Sequence, residues 1–93
     1  MSESIIDKIF TRSLWVASYL ILKGHDFVEF KMRDAHNGHF IFKRDEHIER
    51  DISKYYSTNP EVPIRMYLEQ YDALRDLVMQ SKREVTRNRR RLI

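Results

Sequence analysis

Residues 26–42 read DFVEFKMRDAHNGHFIF, and the fold is decided there. Phe27, Glu29, Lys31 and Arg33 alternate with Val28, Phe30 and Met32. Successive side chains of a strand leave opposite faces, so a period of two marks a strand with one wet face. Asn37-Gly38 follows, a strong hairpin signal because both residues tolerate positive φ. Phe40, Ile41 and Phe42 then return as the partner strand.

On the N-terminal side, residues 13–24 read SLWVASYLILKG. Leu14, Trp15, Val16, Ala17, Tyr19, Leu20, Ile21 and Leu22 cover almost the whole circumference of a helix. A helix apolar all round is buried on more than one side. Thr11 and Ser13 each offer a side-chain oxygen to the free amides of the first turn. Lys23 and Gly24 supply the stop, a cation at the negative end and then a residue suited to a left-handed cap. Before them, Ile6 to Phe10 reads as a short first strand, with Ile6, Lys8 and Phe10 on one face and Asp7 and Ile9 on the other.

On the C-terminal side, Asp45 or Glu46 opens a second helix. Its Ile48, Ile52, Tyr55 and Tyr56 stand at the i, i+4, i+7, i+8 spacing of one face. Ser57, Thr58, Asn59 and Pro60 break it. Pro63 suits the first turn of a third helix, where a missing amide costs nothing. That helix carries Tyr67, Tyr71, Leu74, Leu77 and Val78 on one side, and only Val85 continues the stripe. The expected fold is α+β: an antiparallel sheet of two or three strands with three helices, in the order β-α-β-β-α-α.

The chain has 93 residues, which favours one domain. A domain of this size buries about 60–65% of its unfolded surface, so a second copy could add to its core. Cysteine is absent, which excludes disulfides and thiolate metal sites and fits a reducing, cytoplasmic compartment. The opening MSESIIDKIF has no basic stretch before an apolar run and does not read as a signal peptide. The run from Leu14 to Leu22 is far short of the roughly 20 residues a membrane span needs.

The formal charge of +3 is unevenly placed. Residues 1–80 hold 11 Lys and Arg against 13 Asp and Glu, a balance of −2. Residues 81–93 hold Lys82, Arg83, Arg87, Arg89, Arg90 and Arg91 against Glu84 alone, a balance of +5. The expected division is therefore a single domain over 1–80 and a basic tail, or helix extension, over 81–93. Beyond Ser81 no apolar stripe remains to hold a helix down, so the tail is expected to project or to be disordered.

The segment TRSLWVASYLILKGHDF, followed by a hairpin with Phe40-x-Phe42 and two helices, resembles a small uncharacterised family of bacteria, archaea and their phages. That family is catalogued as a domain of unknown function. The matching residues are Leu14, Ala17, Tyr19, Leu20, Gly24, His25, Phe40 and Phe42, and the resemblance covers roughly residues 8–80. It implies a fold and a prokaryotic or viral origin, and it brings no catalytic residue or ligand.

His36 and His39 flank Asn37-Gly38 with Asp34 nearby, a set that could suit zinc or nickel, but a polar hairpin tip accounts for it. Asp45, Glu46, Glu49 and Asp51 are expected to complement a helix dipole rather than form an acid–base pair. His25 and His47 are assigned no role beyond helix ends. With two glycines, the chain lacks a phosphate-cradling loop, and no nucleophile motif occurs. The expectation is a non-enzymatic protein without metal or cofactor. Lys82, Arg83, Arg87, Arg89, Arg90 and Arg91 are the candidate nucleic-acid contacts, because clustered Arg neutralises phosphates. The alternative is a protein-interaction module, an inhibitor or regulator of a host protein. Its candidate interface is Trp15, Tyr19, Tyr55, Tyr56, Tyr67 and Tyr71, which a homodimer could also cover.

Overall fold

The computed structural model describes residues 7–34 and 37–91, with the backbone alone for 86–91. The elements are β1 (Lys8–Thr11), α1 (Leu14–Leu22), β2 (Phe27–Met32), β3 (Gly38–Lys43), α2 (Ile48–Ser57) and α3 (Ile64–Arg91). This is the expected α+β order. Ile6 and His36 lie outside the described residues.

The sheet is antiparallel in the order β1-β3-β2, so the last strand in sequence is the central one. Phe40 and Phe42 of β3 face the helices and are fully covered, and Ile41 on the other face lies between Phe10 and Glu29. A central strand has neighbours on both sides, which suits three consecutive large apolar residues.

β2 departs from strict alternation. Phe27 pairs with Phe42, yet Glu29 pairs with Ile41, so the strand carries one extra residue at Val28. A bulge of this kind reverses the inward–outward phase. Phe27 thereby turns inward with Phe30 while Val28 is exposed. Period-two reading alone places Phe27 on the same face as Glu29.

The hairpin also differs from its sequence signal. Met32 and Gly38 are partners, so the connection is the five residues 33–37. The amides of Arg33 and Asp34 donate to the Asn37 carbonyl at 2.7 and 3.3 Å, and Asp34 accepts from the Asn37 amide at 3.0 Å. Among the described residues only Gly24 has a positive φ. Gly38 is needed for a different reason: a Cβ there would stand 2.8 Å from Phe30 Cε1, so the aromatic ring lies directly on the backbone.

Both ends of α1 form as local chemistry dictates. The Ser13 hydroxyl accepts from the Val16 amide at 3.2 Å. Gly24, at φ 89°, lets its own amide reach the Ile21 carbonyl and that of His25 reach Leu20, the paired bonds of a Schellman cap. Between these caps Val16, Ala17, Ser18, Tyr19 and Leu20 are all buried. They pack with Phe40 and Phe42 of the sheet, Ile48 of α2, and Tyr67 and Leu74 of α3. Burying one such large side chain stabilises the fold by about 1.5–3 kcal/mol.

In α2, Ile48, Ile52 and Tyr55 face this core. Tyr56, expected on the same face, is 68% exposed. At 100° per residue it sits about 80° from Ile48, past the edge of a narrow stripe. α3 begins after Pro63, whose carbonyl accepts from the Tyr67 amide at 3.0 Å. The helix then runs through residue 80 without interruption to Arg91. Ser81 and Val85 are half-buried, so the stripe carries the helix further than Val78 suggested.

Candidate functional site

The basic residues 82–91 ride on a helix rather than an irregular tail. Positions 83, 87, 90 and 91 stand at i, i+4, i+7 and i+8, one side of α3. The half-buried Ser81 and Val85 mark the opposite side. Lys82 and Arg83 are exposed, and for Arg87, Arg89, Arg90 and Arg91 the helical backbone fixes the register. Lys82 also meets the body. With Arg12 it borders a shallow groove of about 170 Å³ whose floor includes Phe30, Met32 and Phe40. Arg12 is held there by the Asn37 side-chain carbonyl at 2.7 Å.

At the other end of α3 the six aromatic candidates converge from three helices. Trp15 lies 4.5 Å from Tyr71 and stacks on Tyr67 at 6.2 Å between centroids. The Tyr67 hydroxyl donates to the Trp15 carbonyl at 2.9 Å. Tyr19 meets Tyr55 at 5.4 Å, and Tyr55 meets Tyr56 edge-on at 5.3 Å. Their burial divides them. Tyr19 and Tyr67 are core, Tyr55 and Tyr71 are half-buried, and Trp15 (51% exposed) and Tyr56 face solvent. Burial, with Tyr55 and Tyr71 beside it, pushes the Tyr67 phenol up to about 12.

Sequence reading passed over His25. Its imidazole is only 6% exposed, with Nδ1 2.7 Å from Asp45 and Nε2 2.6 Å from Asp51. Desolvation pulls this imidazole down, but the hydrogen bonds and charges of Asp45 and Asp51 outweigh it and hold it above its usual 6.5. Asp45 is lowered in turn, chiefly by the bond to His25 and also by accepting from the His47 amide at 2.8 Å. The clamp ties the C-terminal cap of α1 to the start of α2. Two of the four acidic residues assigned to the helix dipole therefore grip an imidazole. The available signal was a histidine just after a glycine cap, followed by acids at the next helix start.

The candidate metal set at the hairpin tip includes His36, which lies outside the described residues. His39 lies beside Phe10, with 6.4 Å between rings. Among the described residues no three His, Cys, Asp or Glu side chains are grouped to hold a metal ion. Nor is any described helix long and apolar enough to cross a membrane.

No curated protein and no solved structure matches the chain. A family model does, over residues 7–80, and this span takes in the capped α1, the bulged hairpin and the tyrosine-lined part of α3 while stopping short of the basic cluster at 82–91. The chain belongs to the family described as domain of unknown function DUF5659.

Proposed function

We propose that this is a non-enzymatic accessory protein of a prokaryote or phage that contacts nucleic acid through the basic end of α3. The observation that carries the reading is the charge layout: six cations follow residue 81 on a helix whose body is net acidic. Arginines at positions 83, 87, 90 and 91 on one helical side suit a phosphate backbone, which rewards cations at regular spacing whatever the base sequence. Arg12 and Lys82, at the groove beside this end, would extend the positive track onto the body. Binding measured at low salt against single-stranded RNA and duplex DNA tests the proposal. Affinity should fall at least about 100-fold for a chain ending at Gln80, since six phosphate contacts are removed. Equal binding by the shortened and full chains would sink it.

A second reading is favoured by Trp15 and Tyr56, two large aromatics left in solvent beside a packed aromatic cluster. Such residues anchor protein interfaces, because they offer large area with few rotors. Here the acidic, aromatic body would hold a protein, either a host protein or a second copy of the chain. Light scattering separates the second copy from other partners. A dimer mass that drops to monomer in Trp15→Ser supports self-association, and a monomer mass for the unmodified chain counts against it.

A further inference from the structure

We infer that the groove bordered by Arg12 and Lys82 seats one unpaired base of a single-stranded nucleic acid, an inference that rests on the reading of α3 as a phosphate-binding helix. Both charged side chains at the groove are cations, and among the described residues no acid lines it. They come from distant parts of the chain, Arg12 just before α1 and Lys82 late in α3, and both are exposed. Asn37, whose side-chain carbonyl holds Arg12, is neutral, so the guanidinium keeps its charge. Asp34 on the same turn accepts from the Asn37 side-chain amide at 2.9 Å. The rim therefore calls for an anion.

Below the rim the groove is apolar. Phe30, Met32 and Val78 are half-buried there, which leaves carbon surface accessible beside the two cations. The Phe30 ring is held in place. It packs on Phe40 at 4.8 Å between centroids and lies over the bare backbone of Gly38. The volume of about 170 Å³ suits a single ring, since a cavity of about 150 Å³ holds benzene. A flat ring joined to a phosphate meets both demands, and a nucleotide is such a unit.

Lys82 ties the groove to a strand. It opens the basic series that continues through Arg83 and Arg87, so a strand lying along the end of α3 reaches the groove without leaving positive charge. In a duplex the bases are paired and stacked, and presenting one to the groove costs unstacking. Single strands are therefore the preferred class.

The full chain is titrated at low salt with a uridine strand of about eight nucleotides and with an abasic strand of the same length, which keeps the phosphates and loses the bases. The uridine strand should bind at least about fivefold tighter. It should also produce saturable shifts of the Phe30, Met32 and Gly38 amides that the abasic strand does not reproduce. Phe30→Leu should remove the preference for uridine, with the fold checked by urea unfolding. Arg12→Gln should weaken both strands alike, because it takes away a phosphate contact and no base contact. Equal affinity for the two strands would overturn the base seat and leave the helix reading intact, whereas binding of neither would overturn both. Absence of those amide shifts, an undiminished preference in folded Phe30→Leu, or undiminished uridine affinity in Arg12→Gln would place the base elsewhere and overturn the inference.

Discussion

The two ends of α3 solve opposite problems. Its first four turns are held by packing: Tyr67 and Leu74 are buried, Tyr71, Leu77 and Val78 are half-buried, and charge is sparse along that side. Its last turns keep only Ser81 and Val85 half-buried among the described side chains and carry a balance of +5, more than the +3 of the whole chain. One continuous helix therefore joins a segment that stabilises the fold to a segment whose charge does nothing for the core. The lesson is that stability and proposed function are separable along a single element, and substitutions at one end should leave the other's property alone.

The largest effect should come from the packed end. Leu74→Ala removes a core side chain and should destabilise the protein by about 2–5 kcal/mol in urea unfolding. Nucleic-acid affinity of the remaining folded protein should be unchanged. A loss of affinity without unfolding would break the separation.

The converse variant is Arg83→Gln, Arg87→Gln, Arg90→Gln and Arg91→Gln together. Gln keeps helix propensity close to that of Arg, so the helix should persist. Affinity for single-stranded RNA at low salt should drop at least about 30-fold. The urea midpoint should hardly move, because positions 83, 87, 90 and 91 lie on the side of α3 away from Ser81 and Val85.

A smaller effect is expected where α1 and α2 are clamped. His25→Ala leaves the largely covered Asp51 without its imidazole and should cost about 2 kcal/mol. The same clamp sets a pH dependence. His25 has a folded pKa above 6.5, so its contribution is full below that value and is lost as pH rises through the folded pKa. Asp45 has a folded pKa below 3.8, so its contribution is present above that value and is lost as pH falls through the folded pKa. Stability from the clamp should thus peak between about pH 4 and 6.5. Thermal melts across pH 3–9 check this, and His25→Ala should flatten the loss on the alkaline side.

The smallest change concerns the unpartnered phenol. Tyr19→Phe should raise stability by about 1 kcal/mol, because a buried hydroxyl with no partner among the described residues is a net penalty. A decrease of that size in urea unfolding would mean that the hydroxyl is satisfied in solution.

What could be seen in the sequence follows the range of the forces involved. Ser13 and Gly24 were readable because a cap is built within four residues of itself. The alternation of β2 located the strand but not the bulge at Val28, since that extra residue is defined only against Phe42 and Ile41 across the ladder. Asn37-Gly38 marked the hairpin correctly for a reason that does not operate; Phe30, eight residues earlier, is what demands a glycine. His25 was invisible because its partners are 20 and 26 residues away and each acid had a sufficient local explanation. The aromatic residues were identifiable as a set by type. Which of them would be core and which exposed depended on a stripe narrower than the spacing implied, so Tyr56 fell outside it. The loop residues Thr58, Asn59, Pro60 and Val62, which lie against Tyr19, Tyr55 and Tyr67, gave no signal beyond a helix break.

The separation of the two ends is tested most directly by the salt dependence of nucleic-acid binding. The logarithm of the association constant for a single-stranded RNA is plotted against the logarithm of salt concentration, for the full chain and for one ending at Gln80. Six released contacts predict a slope near −4 for the full chain and a slope shallower by at least about 2 for the shortened one. Parallel slopes would contradict the account, because the charge that matters would then lie in the body and not at the end of α3.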